Sequence, residues 1–136
     1  MAGKNFEYLK GEILDYRVLE ELPIMCLEGN TSTRGYVEQY LKEQNVVLHP
    51  EFELATSDML IQFAEKSLGV ASVVKDFAEP KIMQGSLFQL RFKEKIPKRQ
   101  FCLVMDQRVP LSAAAEQMLG ILDSEISSDY DKYNKH

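Results

Sequence analysis

Histidine and cysteine are scarce in this chain, and positive charge is in deficit. The only histidines are His49 and His136, one in a His-Pro turn and one at the end of a polar tail. Catalysis needs a nucleophile, a base and an orienting group within mutual reach, and neither histidine offers such a set. No G-x-S-x-G, P-loop or H-E-x-x-H pattern occurs, so no enzyme is expected. A lone histidine without Cys, Asp or a second His beside it is no metal site, and neither a metal nor a cofactor is expected. The two cysteines, Cys26 and Cys102, each sit inside an apolar run. They read as buried free thiols of a reducing compartment, not as a disulfide. With 21 Asp and Glu against 16 Lys and Arg, the net charge is −5, which argues against a surface that tracks phosphates. The one basic cluster, Lys93, Lys95, Lys98 and Arg99, encloses Glu94 and reads as a solvated turn. No apolar run approaches the roughly 18 residues of a membrane span, and no signal-peptide pattern opens the chain. A cytoplasmic location is expected, with no membrane partner.

What is present suits one globular domain: 136 residues, 45% hydrophobic and 27% charged. A chain near this length buries about 68–70% of its unfolded surface, enough for a proper core. Along it the hydrophobic period switches repeatedly. "PIMCLE" (23–28) reads as a short buried strand after a proline, and "TRGYVEQYLKEQN" (33–45) as a helix with Tyr36, Val37, Tyr40 and Leu41 on one face. "EFELA" (51–55) alternates, with Phe52 and Leu54 to one side. "SDMLIQFAEKSLG" (57–69) is helical, with Leu60, Ile61, Ala64 and Leu68 inward and Gly69 as its expected terminator. "VASVV" (70–74) is a β-branched strand, with Lys75, Asp76 and Phe77 at its end and Phe77 expected in the core. "FAEPKIMQG" (77–85) predicts a short helix ended by Gly85. "LFQLRF" (87–92) and "QFCLVMD" (100–106) read as strands. "PLSAAAEQMLGILDSEI" (110–126) is the longest helix, capped by Ser112 and buried through Ala115, Met118, Leu119 and Leu122. The polar end is expected to fray.

Strand, helix, strand, helix, strand implies parallel pairing through right-handed crossovers. The fold class is therefore α/β, a doubly wound sandwich whose ligands sit beyond the carboxyl ends of the strands. Residues 29–33, 55–58 and 75–77 follow strands directly and should meet at one edge. There "EGNTSTRG" (28–35) places Asn30, Thr31, Ser32 and Thr33 in succession. One Ser or Thr suffices as a helix cap. Four such residues exceed that need, and a helix N-terminus also suits a small anion. Thr56, Ser57 and Asp58 repeat the pattern, as a cap with a dipole-matched acid or as a second set of ligand contacts. Lys75 is either a cleft cation or a solvated one. Arg34 has two readings, a partner for an anionic effector or an i,i+4 salt bridge with Glu38.

Four stretches in order, "LEELPIMCLEGNTSTRGYVEQYL", "FELATSDMLIQFAEKSLGVASVVKDFA", "GSLFQLRFKEKIPKRQFCLVM" and "VPLSAAAEQMLGIL", resemble the effector-binding domain of LysR-type transcriptional regulators. The resemblance runs from about residue 2 to residue 125. Its most specific parts are "LGVASVV", the G-x-L at 85–87 and the "PLSAA" that opens the last helix. It implies a three-layer, periplasmic-binding-protein-like (type 2) fold with a mostly parallel sheet. In that family the loop at 29–33 faces the cleft where small effectors bind, and a polar residue at the position of Thr56 points into it. The resemblance thus implies Asn30, Thr31, Ser32, Thr33, Thr56, Ser57 and Lys75 as contacts for a small polar or anionic effector. It also implies that residues of about 20–95 form the second regulatory subdomain, and that 96–126 supply a strand and helix returning to the first, with 127–136 a frayed tail. The winged helix-turn-helix and most of the first subdomain are expected to be missing, so no direct DNA contact is expected of this chain.

The implied function is a small-molecule sensor that signals to DNA-bound oligomers; the alternative is one lobe of a solute-binding protein of the same two-lobed fold. Phe101, Leu103, Met105, Met118, Leu119, Leu122 and Ile126 form an apolar set that seeks cover. A homodimer with this region at its interface is expected.

Overall fold

The computed structural model describes residues 1–99, 104–106 and 108–133. In chain order its elements are β1 (Ile13–Leu14), β2 (Ile24–Leu27), α1 (Ser32–Glu43), β3 (Pro50–Leu54), α2 (Ser57–Glu65), β4 (Val70–Ala71), α3 (Lys75–Met83), β5 (Arg91–Phe92) and α4 (Ala113–Tyr133), with short 3-10 helices at Lys4–Leu9 and Tyr16–Glu20. The chain divides into two units, Met1–Lys98 and Arg99–His136.

In the first unit, β2 is the central strand of a parallel sheet of order β3-β2-β4. Its sequence, Ile-Met-Cys-Leu, has no polar residue because both faces are covered. Ile24 and Cys26 face the cluster that takes in Leu41 of α1, Val46, Leu48 and Val70. Met25 and Leu27 face the opposite cluster of Leu60, Ile61 and Ala64 from α2 and Ala78 from α3. One helix above the sheet and two below make the three-layer α/β sandwich that the alternating periods imply. The parallel pairing of β2 with β3 and β4 follows as expected. Because successive side chains of a strand point to opposite faces, one tetrapeptide serves both cores.

The three helices of the first unit stop in the same way. After α1, α2 and α3 the chain turns through a left-handed residue, Asn45, Ser67 and Gly85 respectively. The next amide returns to a carbonyl in the last turn: Val46 to Leu41, Leu68 to Phe63 and Ser86 to Lys81. This is the Schellman arrangement. Helix α2 therefore ends at Glu65, earlier than expected, with Ser67 and not Gly69 as its left-handed residue. Leu68, expected inward, is exposed. Gly69 is required for another reason: a Cβ there would lie 2.5 Å from the Pro23 carbonyl oxygen. It lets β4 close on β2.

Other expectations are corrected as well. The third strand ends at Ala71, and Lys75–Phe77 open α3. Phe77, expected in the core, is 61% exposed, because Ala78 takes the buried position of that turn. Pro80 lies inside α3, since the helix starts two residues before the expected one. Of 87–92 only Arg91–Phe92 is strand, paired parallel to β1, while Phe88 makes one antiparallel bridge to Ala2.

The second unit has α4, capped by the Ser112 hydroxyl, which accepts from the Ala115 amide at 3.2 Å. Val104–Asp106 carries no strand; the remainder of the expected strand, Gln100–Leu103 with Cys102, lies outside the described residues. Met118, expected to be buried, is exposed, whereas Ala115, Leu119 and Leu122 are half-buried. Together Met105, Leu111, Ala115, Met118 and Leu119 line an apolar hollow of about 160 Å³.

Candidate functional site

Parallel strands bring their carboxyl ends to one edge, and here each strand passes directly into a helix. The pairing of Leu27 with Leu54 and the Glu28 N–H bond to the Leu54 carbonyl (3.1 Å) set the turns into α1 and α2 side by side. On the other side of β2, the Ser72 N–H donates to the Met25 carbonyl (2.9 Å), and the chain enters α3 three residues later. The order along the edge is α2, α1, α3. The outer two helix starts are separated by two strand spacings, about 10 Å.

Asn30–Thr33, Thr56–Ser57 and Lys75 are thus grouped at one edge, and each has its own local work. The Thr31 hydroxyl accepts from the Arg34 amide (3.3 Å) and donates to the Glu28 carbonyl (3.0 Å), so it caps α1. The Thr56 hydroxyl accepts from the Met59 amide (3.3 Å) and caps α2. These caps satisfy one amide each. The first turn of a helix presents about four N–H groups without helical partners, and the remainder give the helix end its partial positive charge. Asn30 and Ser32 are exposed at the tip, whereas Thr31, Thr33 and Ser57 are half-buried. Lys75 is exposed and pairs loosely with Glu79 at 3.7 Å.

Arg34 takes the salt-bridge reading, and more. Only 7% exposed, it donates from Nε to Glu38 (2.7 Å), from one terminal nitrogen to the Leu27 carbonyl (2.9 Å) and from the other to Glu53 (3.3 Å). Burial opposes its charge, yet the Glu38 hydrogen bond and the Glu38 and Glu53 carboxylates outweigh that, and its pKa is raised. The guanidinium is therefore a clamp that ties α1 to the ends of β2 and β3. Glu53 was missed as its partner, although the alternation of Phe52, Glu53 and Leu54 already set Glu53 on the opposite face from the two apolar residues. Beneath the clamp, burial pushes the Cys26 thiol up to about 11, which makes it an inert core residue.

The edge is open. A hollow of about 170 Å³ lies elsewhere in the unit, between Leu14–Arg17, Gln44 and Lys93–Glu94. Among the described residues no group of His, Cys, Asp and Glu could hold a metal ion, and no helix is long and apolar enough to cross a membrane.

A further set of polar contacts escaped the sequence reading. Tyr36 and Tyr40, expected only as core, and Tyr16, for which the sequence offered no reading, carry hydroxyls: that of Tyr16 donates to the Glu94 carbonyl (2.7 Å), that of Tyr36 to Pro97 (2.9 Å) and that of Tyr40 to Lys95 (3.5 Å). An amphipathic side chain with an apolar body and a polar tip suits such a place, but nothing in the periodicity names the acceptors.

The family model of the LysR substrate binding domain matches residues 2–127. No curated protein matches the chain. With parallel strands, a helix on each face and the match across nearly its whole length, the chain belongs to the LysR substrate binding domain family, whose members are regulatory effector-binding domains of periplasmic-binding-protein-like fold.

Proposed function

We propose that this chain is the sensor of a LysR-type transcriptional regulator and that its effector is a small polar or anionic molecule held at the carboxyl edge of the β3-β2-β4 sheet. The observation that carries the reading is the meeting of three helix starts at that edge. In this reading the exposed Asn30 and Ser32 and the amides around Thr31 and Thr33 meet the effector from above the sheet, and Thr56, Ser57 and Lys75 meet it from below. The response passes to DNA-bound oligomers, and DNA contact belongs to a helix-turn-helix outside these residues. The protein works in the cytoplasm as a homodimer and performs no catalysis. Residues of about 20–95 act as the second regulatory subdomain.

The test is a thermal-shift screen of the chain against small carboxylates, phosphate, sulfate and neutral polar metabolites. A molecule that binds the native state at a hundred times its Kd stabilises by about 2.7 kcal/mol. At roughly 4 °C per kcal/mol that is a rise of about 10 °C. The same rise should shrink in Ser32→Ala and Thr56→Val variants. A screen without a shift at saturating concentrations, or a shift that these substitutions leave untouched, overturns the reading.

A further inference from the structure

Helix α1 begins at the candidate edge and is attached to two things besides the core. At its first turn Arg34 holds it to the ends of β2 and β3. Along the next two turns Tyr36 and Tyr40, four residues apart and so on one face, reach the segment by which the chain leaves the first unit. That segment, Lys93–Lys98, has neither helix nor strand. Its first amide, that of Lys93, bonds to the Leu14 carbonyl (3.0 Å). Beyond it the carbonyls of Glu94, Lys95 and Pro97 accept from tyrosine hydroxyls. The Tyr36 bond at 2.9 Å and the Tyr16 bond at 2.7 Å have ordinary O–H···O lengths, whereas the Tyr40 bond at 3.5 Å is weak. Tyr40 gains instead by meeting the Tyr16 ring edge-on (5.8 Å), and Tyr16 stacks on Phe92 (4.5 Å) at the root of the segment.

We infer that Tyr36 and Tyr40 are coupling residues: they make α1 a rigid link between the effector edge and the segment 93–97. A helix advances 1.5 Å per residue, so Thr31 and Tyr40 lie about 13 Å apart along one rod. A small shift of its first turn therefore appears at the tyrosine hydroxyls, and the carbonyls they hold move with them. The exit segment is the covalent path to Arg99 and everything beyond it, so a change at the edge that reaches the rest of the chain through the backbone passes along it. The inference rests on the edge being the ligand site.

Two perturbations of the α1 start test it in the whole chain by NMR. One is Thr31→Ala, which removes the cap without any ligand. The other is titration with acetate, a singly charged probe, read at the amides of Thr31–Thr33. Each is done in the natural chain and in the Tyr36→Phe/Tyr40→Phe variant, which keeps the rings and removes the hydroxyls. The double variant should lower the backbone order parameters of Lys95 and Ile96 from about 0.85 towards 0.6. Thr31→Ala should shift the Lys95 and Pro97 carbonyl resonances in the natural chain and leave them still in the double variant. Acetate should do likewise, with equal shifts at Thr31–Thr33 in both backgrounds. If Thr31→Ala moves neither carbonyl, or moves both equally with and without the hydroxyls, the coupling is refuted. Acetate that leaves Thr31–Thr33 unmoved counts against the effector site alone, while the Thr31→Ala result still decides the coupling.

Discussion

Replacing Gly69 by alanine is a one-carbon test of how β4 closes on β2. The added Cβ would lie 2.5 Å from the Pro23 carbonyl oxygen, 3.0 Å from Met25 Cγ and 3.2 Å from Met25 Sδ. Ordinary contact begins at 3.4 Å, so the two strands must part by close to 1 Å. The same Pro23 oxygen accepts the Val70 amide at 2.8 Å, so the displacement stretches a ladder bond of about 1 kcal/mol. Overpacking a well-filled core costs about 1–3 kcal/mol by itself. Against this, the smaller conformational freedom of unfolded alanine returns about 0.4–1 kcal/mol. The net expectation is a loss of about 1–3.5 kcal/mol, or roughly 4–14 °C in Tm. Gly35→Ala supplies the opposite sign: nothing lies within 4 Å of its Cβ at the end of the first turn of α1, so it should stabilise by about 0.5–1 kcal/mol. Calorimetry of the two variants decides the matter. A Gly69→Ala protein that melts within a degree or two of the natural chain would refute the close-approach reasoning.

Arg34→Lys should cost about 1–3 kcal/mol in urea titration, because an ammonium cannot span Leu27, Glu38 and Glu53 as the forked guanidinium does. An unfolded Cys26 thiol ionises near 9.0 and the folded one near about 11. Stability is therefore whole below pH 9 and declines by about 3 kcal/mol as pH rises from 9 through 11; a Cys26→Ala chain should lack that alkaline slope in pH-dependent melting. The Glu65 carboxylate is held below its ordinary range by hydrogen bonds from Lys81 and Ser86. Its contribution is present above pH 4.5 and is lost as pH falls through the lowered value, so Glu65→Gln should flatten the acid limb of the same curve.

The sheet was legible because its signals are local. Four apolar residues in a row after Pro23 can only be a strand covered twice, and the helical stripe at Tyr36, Val37, Tyr40 and Leu41 fixes the layer above it. The Ser112 cap was equally legible, whereas the four polar residues before α1 and the pair before α2 did not by themselves single out Thr31 and Thr56 as the caps. Helix ends were less so. Ser67 adopts a left-handed conformation that glycine takes more readily, and the better-suited Gly69 two residues on was engaged by the neighbouring strand. Tertiary contact overrode the local preference. Phe77 misled for a related reason: apolar character announced a core residue, but the buried position of α3 at that turn belongs to Ala78, where the helix approaches α2 closely. The start of the chain offered no period at all. Its 3-10 turns and the two-residue β1 exist because Phe6, Leu9 and Tyr16 find partners at Phe88, Leu90 and Phe92, some eighty residues away.

Arg34 bears most directly on what the proposed edge can recognise. A cation in the first turn of a helix that starts at a ligand edge would be the natural partner of an anionic effector, and a bidentate one. Here it faces the other way, its nitrogens donating to one carbonyl and two carboxylates of its own unit. Charge recognition then falls to the amides at the starts of α1, α2 and α3 and to Lys75, which itself leans on Glu79. Helix ends contribute partial charges, about half a unit each. Around them Glu28, Asp58 and Asp76 are all exposed, and on a chain of net −5 they repel any second negative charge. Of the effectors admitted by the proposal, the edge therefore favours a neutral polar or singly charged molecule over a polyanion. Binding of the former should change little with added salt, because fixed hydrogen-bond donors are screened far less than surface charge.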